Sequence, residues 1–176
     1  MKAAGLPEGL FQNLVLSHGD TEKLIGSGAI DHINFTGSVE GGRRIERAAA
    51  GTFASLGLEL GGKDPAYVRP DVKLDYAVEN LVDGSFFNSG QSCCGVERIY
   101  VHADVYDKFV DGFVEVSKGW TLGNPLEADT VVGPMAAPKF ADLVREQTAE
   151  ALRKGATAHL KTNYKGDMAG SPYQTP

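Results

Sequence analysis

Two cysteines stand side by side at Cys93 and Cys94, inside the stretch FFNSGQSCCGVER at residues 86–98. Gly90 and Gly95 remove bulk on either side of them and permit positive φ, so the backbone can turn tightly and offer a sulfur and its own N–H to a ligand. A thiolate is the nucleophilic form, and an ordinary thiol with a pKa of about 8.5 is only a few per cent ionised near neutrality. Such a nucleophile therefore needs a base or a local field. The local residues alone do not make the pair catalytic, because a free cysteine is more often a small buried hydrophobe. A second stretch, LELGGKDP at residues 58–65, supplies a carboxylate: Glu59 sits between Leu58 and Leu60 and ahead of two glycines, where it could take a proton.

The elements that must position these groups follow from periodicity. Over residues 1–60, short apolar runs alternate with helix-like segments, the pattern of a parallel sheet with crossover helices. Residues 11–16 (FQNLVL) read as a strand, 21–27 as a short helix, 32–36 (HINFT) as a second strand and 39–50 as a helix. A further strand runs to Leu60. Between the second strand and the following helix, Phe35-Thr36-Gly37-Ser38 makes a turn in which Ser38 is a good N-cap and Gly42 falls five residues after Gly37. That arrangement aims free N–H groups and the positive helix end at an anion above the sheet. Arg43, Arg44 and Arg47, with Glu40 and Glu46 in pairing distance, read as a solvated helix face. The pair Gly61-Gly62 followed by Asp64-Pro65 is the strongest boundary signal in the chain. Beyond it, residues 74–89, 105–118 and 138–154 read as helices, and 98–102 and 156–160 as strands. Phe109, Phe113 and Val116 are expected in the core, while Trp120 and the loop Gly123-Asn124-Pro125 receive no role. The polar, glycine- and proline-bearing stretch at 162–176 shows no element, and no internal repeat is visible.

Composition narrows the class. With 176 residues and 42% hydrophobic content, the chain can bury one sizeable core or parts of two. A net charge of −6 and a pI near 5.2 give no electrostatic reason to expect nucleic acid or an anionic membrane surface. Two adjacent cysteines cannot build a disulfide framework. His18, His32, His102 and His159 lie far apart without ligand spacing, so no metal site is expected. No apolar run approaches the roughly 18 residues a membrane span needs, and no signal-peptide core is present. The expectation is a soluble cytoplasmic protein acting on a small molecule.

Phe86, Gly90, Gln91, Cys93 and Arg98, taken with Leu58, Glu59, Gly61, Gly62 and Lys63, resemble the paired cysteine and glutamate signatures of the NAD(P)-dependent aldehyde dehydrogenase superfamily. Their order and separation also fit, and the resemblance runs over essentially the whole chain. It implies an α/β fold in which residues 1–60 are the C-terminal part of a Rossmann-like NAD(P)-binding domain and 61–176 the N-terminal part of an α/β catalytic domain. It implies Cys93 as nucleophile and Glu59 as the base that activates water. Cofactor contacts carried over are Gly37, Ser38 and Gly42 under the pyrophosphate, Gly19 near the adenosine, and Leu60. The cofactor would be NAD or NADP, the substrate a small aldehyde, and the full-length enzyme a homo-oligomer. Alignment with Gln91 and Arg98 favours Cys93 over Cys94, which would pack nearby; Asn88 and Arg98 would hold the loop, and Lys63 would be structural or a surface charge. The chain resembles only the middle part of such an enzyme, so activity of the isolated chain is not expected. Two other outcomes stay open: a catalytically silent segment serving at most in interactions, and thioester or ester hydrolysis without a redox step.

Overall fold

Alternation along HINFT forms strand β1 (His32–Thr36), which turns Ile33 and Phe35 toward one face and leaves His32, Asn34 and Thr36 exposed on the other. Its parallel partner is β2 (Ser55–Glu59), with His32 opposite Ser55 and Thr36 opposite Glu59. Parallel strands require a crossover. Here it is helix α2 (Val39–Ala49), begun where the Ser38 hydroxyl accepts from the Gly41 N–H at 3.0 Å. Helix α1 (His18–Gly26) starts in the same way at Ser17, whose hydroxyl accepts from the Asp20 N–H. Ile25 of α1 is buried with Ile45 and Ala49 of α2, and Ile33, Phe35, Leu56 and Leu58 pack against them.

The computed structural model describes residues 2–160 and 171–173, so most of the polar stretch at 162–176 lies outside the described residues. The chain divides into two compact units, Met1–Gly61 and Gly62–Pro176. The second contains strands β3 (Asp64–Val68) and β4 (Val96–Val101), again parallel, with an irregularity that places Asp64 opposite Val96 and Pro65 opposite Arg98. Helix α3 (Leu74–Phe86) is the crossover, and α4 (Tyr106–Lys118) packs beside it. Val68, Val78, Val82 and Phe109 are buried together, with Ile99, Val101, Phe113, Val116 and Trp120 packed around them. Each such side chain contributes about 1.5–3 kcal/mol when fully buried. Residues 121–132 fold back on themselves through a parallel bridge between Leu122 and Val132 and lead into α5 (Pro138–Arg153), which has proline in its first turn. Among the described residues no helix is long and apolar enough to cross a membrane.

The architecture is α/β, with helices linking parallel strands. Several elements differ from the sequence expectation, each for a physical reason. Residues 11–16 are not a strand: among the described residues they make no ladder to any strand, and Val15 is 96% exposed. An apolar run becomes a strand only when a neighbour accepts its backbone hydrogen bonds. Residues 156–160 are not a strand either, since the chain leaves α5 through Gly155 (φ 96°) and the Ala156 N–H donates back to the Ala151 carbonyl. Strand β3 was hidden under the boundary signal at Asp64-Pro65. Helix α3 stops at Phe86 because Asn88, Ser89 and Gly90 take φ of 51°, 61° and 72°, left-handed values that no right-handed helix can continue. Helix α1 begins at His18, ahead of the expected residue 21, because Ser17 caps it. On α2, Arg43 and Arg47 pair with Glu40 at 3.6 and 3.9 Å, whereas Arg44 reaches Glu22 of α1 at 2.6 Å. These exposed pairs contribute at most about 1 kcal/mol each.

Candidate functional site

In the second unit, Cys93 and Cys94 are the central residues of a turn closed by the Gly95 N–H, which donates to the Ser92 carbonyl at 3.2 Å. Both cysteines are exposed. Their surroundings are not equal. The Cys94 sulfur lies 3.2 Å from the Ser92 hydroxyl, while the Cys93 sulfur has no hydrogen-bond partner among the described residues. The Cys93 backbone N–H likewise has no acceptor among them, so thiol and amide are both available to one ligand.

The turn is held from two sides. On one side stand the glycine pair and its neighbours. A Cβ added to Gly62 would lie 2.7 Å from the Cys93 carbonyl oxygen, so the absence of a side chain there is what lets the two backbones meet. Arg98 donates to the Lys63 carbonyl at 2.8 Å, and the Lys63 ammonium pairs with Glu97. On the other side is the left-handed run Asn88-Ser89-Gly90. Asn88 donates from its side-chain amide to the Gln91 carbonyl at 3.0 Å, and Gln91 returns the bond from Nε2 to the Asn88 carbonyl at 3.1 Å. Ser89 donates to the Gly133 carbonyl at 2.7 Å, and Gln91 Oε1 accepts from the Ala136 N–H at 2.8 Å. Asn88 and Arg98 thus do the loop-holding work that their positions suggested. Phe86 closes the end of α3 against Phe113 and Trp120, with ring centroids 6.0 and 6.2 Å away, which gives Trp120 the role the sequence did not disclose.

Within the first unit, the structure brings most of the other candidates to one end of the β1–β2 ladder. The Gly37 N–H donates to the Glu59 carbonyl at 3.0 Å, fixing the last residue of β2 beside the turn that opens α2. The Glu59 side chain is exposed and its carboxylate has no hydrogen-bond or ion-pair partner among the described residues, leaving it open to water. Gly42 is buried, and a Cβ there would meet the Leu60 side chain at 2.8 Å; Gly37 and Gly41 make room for the Phe35 ring, which a Cβ on either would meet at 2.6 Å. These glycines therefore have a packing reason as well as a place at the helix start. Ser38 uses its hydroxyl for the Gly41 N–H and its carbonyl for the Gly42 N–H, and the amides of Val39 and Glu40 find no acceptor among the described residues. Two free N–H groups at the positive end of an 11-residue helix fit an anionic group such as phosphate.

Gly19 lies apart from this group, in the first turn of α1, with only the Ser17 hydroxyl at 4.0 Å from where its Cβ would stand. No crowding there demands glycine. Next to it, hydrogen bonds from Ser17 and then Lys23 hold the Asp20 carboxyl below the usual carboxylate range. Cys93 belongs to the unit Gly62–Pro176 and Glu59 to Met1–Gly61, so each stands within its own unit. Gly62, Gln91 and Ser89 are the positions the sequence undervalued. Gly62 stands in the sequence as a signature residue and part of a boundary signal, with nothing to show its contact with Cys93, and the partners of Gln91 and Ser89 lie 45 and 44 residues away.

Residues 1–174 match the sequence model of the aldehyde dehydrogenase family. A succinate-semialdehyde dehydrogenase of Mycobacterium ulcerans, named for NADP(+), is 39% identical over 153 residues, which is 87% of this chain and 33% of the relative. Among solved structures, lactaldehyde dehydrogenase from Escherichia coli superposes with a TM-score of 0.84 at 38% identity, covering 90% of this chain and 34% of the other. Betaine aldehyde dehydrogenase from Staphylococcus aureus, solved in complex with NAD+, gives 0.89 at 30% identity, covering 99% and 35%. The chain spans about a third of the length of the curated relatives it matches.

Proposed function

The chain belongs to the aldehyde dehydrogenase family, and on that premise we propose that it is the segment of an NAD(P)-dependent enzyme that holds an aldehyde covalently on Cys93 while it is oxidised to a carboxylic acid. The observation that carries this reading is the asymmetry of the thiol pair, in which the Cys93 sulfur and N–H are both open while the Cys94 sulfur is engaged by Ser92. We assign residues 1–60 to the end of the cofactor-binding domain and 61–176 to the first part of the catalytic domain.

The Cys93 sulfur, as thiolate, attacks the aldehyde carbon, and the carbonyl electron pair moves onto oxygen. The Cys93 N–H donates to that oxyanion and lowers the cost of its charge. NAD or NADP, when bound, supplies the acceptor for the hydride that leaves the thiohemiacetal carbon. Gly37, Ser38 and the start of α2 would hold its phosphates, with Gly42 and Leu60 shaping the floor and Gly19 farther along. With that acceptor bound, loss of hydride would leave a thioester on Cys93. Glu59 takes a proton from water, the water oxygen bonds to the acyl carbon, the carbon–sulfur bond breaks with its electron pair on sulfur, and the acid departs with the Cys93 thiolate restored. The substrates named for the relatives, succinate semialdehyde, lactaldehyde and betaine aldehyde, define the first panel to try. Two free, exposed thiols suit a reducing compartment, so we place the protein in the cytoplasm, and we take the full enzyme to be a homo-oligomer.

The test uses the enzyme that carries this segment. Aldehyde is mixed with NAD or NADP, the reaction is quenched within one turnover, and the acyl adduct is located by peptide mass spectrometry while reduced nicotinamide is followed by absorbance. The expected result is an adduct on Cys93 and no turnover in Cys93→Ala. An adduct on Cys94, or turnover that survives Cys93→Ala, overturns the proposal.

A further inference from the structure

The loop before the thiols carries a second feature, at Gln91. Its side chain is satisfied at both ends: Nε2 donates to the Asn88 carbonyl at 3.1 Å and Oε1 accepts from the Ala136 N–H at 2.8 Å. Its backbone is tied as well, the N–H donating to the Asn88 carbonyl at 3.1 Å and the carbonyl accepting from the Asn88 amide at 3.0 Å. All of this sits one residue ahead of Ser92, where the thiol turn begins. The backbone it restrains is strained, since Asn88 and Ser89 are non-glycine residues at positive φ, a conformation that persists only when surrounding bonds fix it. Ser89 adds a bond to the Gly133 carbonyl, so the segment 133–136 is joined to the loop at two points.

We infer that Gln91 is a positioning residue for Cys93 and that it acts through Ala136, making the segment 133–136 the external anchor of the thiol turn. The argument rests on the reading of Cys93 as the nucleophile. A primary amide is the side chain that fits, because the position must donate to one carbonyl and accept from one N–H at the same time. With the anchor in place, the turn has one arrangement, in which Ser92 engages Cys94 and leaves Cys93 open. Without it, the Asn88–Gly90 backbone can relax to ordinary φ, Ser92 loses its fixed place, and the two thiols become equivalent.

The measurement is brief alkylation of the full chain with iodoacetamide, followed by peptide sequencing in the mass spectrometer to give the ratio of Cys93 to Cys94 labelling, with the thermal midpoint recorded alongside. Gln91→Leu removes both side-chain bonds. Gln91→Glu keeps the acceptor for the Ala136 N–H, and Ala136→Pro deletes the same bond from the other end. In Gln91→Leu the labelling ratio is expected to fall by roughly 3- to 10-fold, the effect of about one net hydrogen bond. Gln91→Glu, which keeps the acceptor for Ala136 but sets a second acceptor against the Asn88 carbonyl, is expected to fall between the parent and Gln91→Leu, and Ala136→Pro to lose the ratio to the same extent as Gln91→Leu, singly or combined. A role limited to stability would lower the midpoint and raise labelling of both thiols together. An unchanged ratio in Gln91→Leu overturns the inference, as does an unchanged ratio in Ala136→Pro. Should Gln91→Leu not fold, Ala136→Pro decides alone, an unchanged ratio again counting against it. Equal labelling of Cys93 and Cys94 in the unsubstituted chain is a different failure, striking the nucleophile assignment itself.

Discussion

Replacing Gly62 by alanine should disturb the cysteine turn, whereas the same change at Gly61 should not. At Gly62 the added Cβ would stand 2.7 Å from the Cys93 carbonyl oxygen, about 0.7 Å inside the 3.4 Å at which contact becomes ordinary. The obstructing atom is backbone, so no rotamer change relieves the clash, and either the 62–63 segment or the turn has to move. The Asp64 carboxylate, 3.2 Å away, restricts the other direction. At Gly61 nothing lies within 4 Å of the added atom, and neither glycine has positive φ, so backbone preference does not separate them. Overpacking of this kind costs about 1–3 kcal/mol, which for a unit near a hundred residues lowers the unfolding midpoint by about 4–12 °C. The single tryptophan, Trp120, is packed in the core of the same unit and reports its unfolding by fluorescence. A displaced turn should also change the ratio of Cys93 to Cys94 alkylation, because the contact of Ser92 with the Cys94 sulfur depends on the turn. Gly61→Ala is expected to stay within about 0.5 kcal/mol of the parent. Equal midpoints and equal labelling ratios in the two variants would refute the reasoning, since the contact on which it rests would then be absent in solution.

In the enzyme carrying this segment, Glu59→Gln should slow thioester hydrolysis by roughly 10²- to 10⁴-fold, the usual range for a lost general base; acyl-enzyme accumulating on Cys93 in quenched samples is the sign, and parent-like turnover removes Glu59 from the mechanism. Ser38→Ala deletes the cap of α2 and should cost about 0.5–2 kcal/mol of stability in the first unit, read from far-ultraviolet dichroism on heating, together with weaker dinucleotide binding. Asp20 has its carboxyl pKa depressed in the folded chain by Ser17 and then Lys23, so its contribution to α1 is present above the unfolded carboxylate value and is lost as pH falls through the folded one. The protection of α1 amides, taken against the intrinsic exchange rate at each pH, should fall over that acid range in the parent chain, and the step should be missing in Asp20→Asn.

How much of this was legible depends on how far each cause lies along the chain. The start of α2 could be read because its cause is local: Ser38 supplies the cap three residues before the N–H it binds, and the bound Gly37 N–H closes a strand end that alternation had already marked. Strand identity is different, because a ladder needs a partner that sequence does not name. Residues 11–16 are as apolar as β1 yet pair with nothing among the described residues, while β3 begins at Asp64-Pro65, a pair that spells turn, and is a strand because β4 lies alongside it. The same distance hid what Gly62 and Gln91 do. Gly62 and Gln91 stand out in the sequence as signature positions, but what each touches appears only when Cys93, 31 positions after Gly62, is found against it and Ala136 against Gln91. The residues that could perform chemistry were visible because chemistry is carried by side-chain type. Those that decide which of two adjacent thiols is free were not, because that choice is made by backbone contacts: the Cys93 carbonyl against Gly62, the Ala136 N–H against Gln91, and the turn that leaves Ser92 facing Cys94.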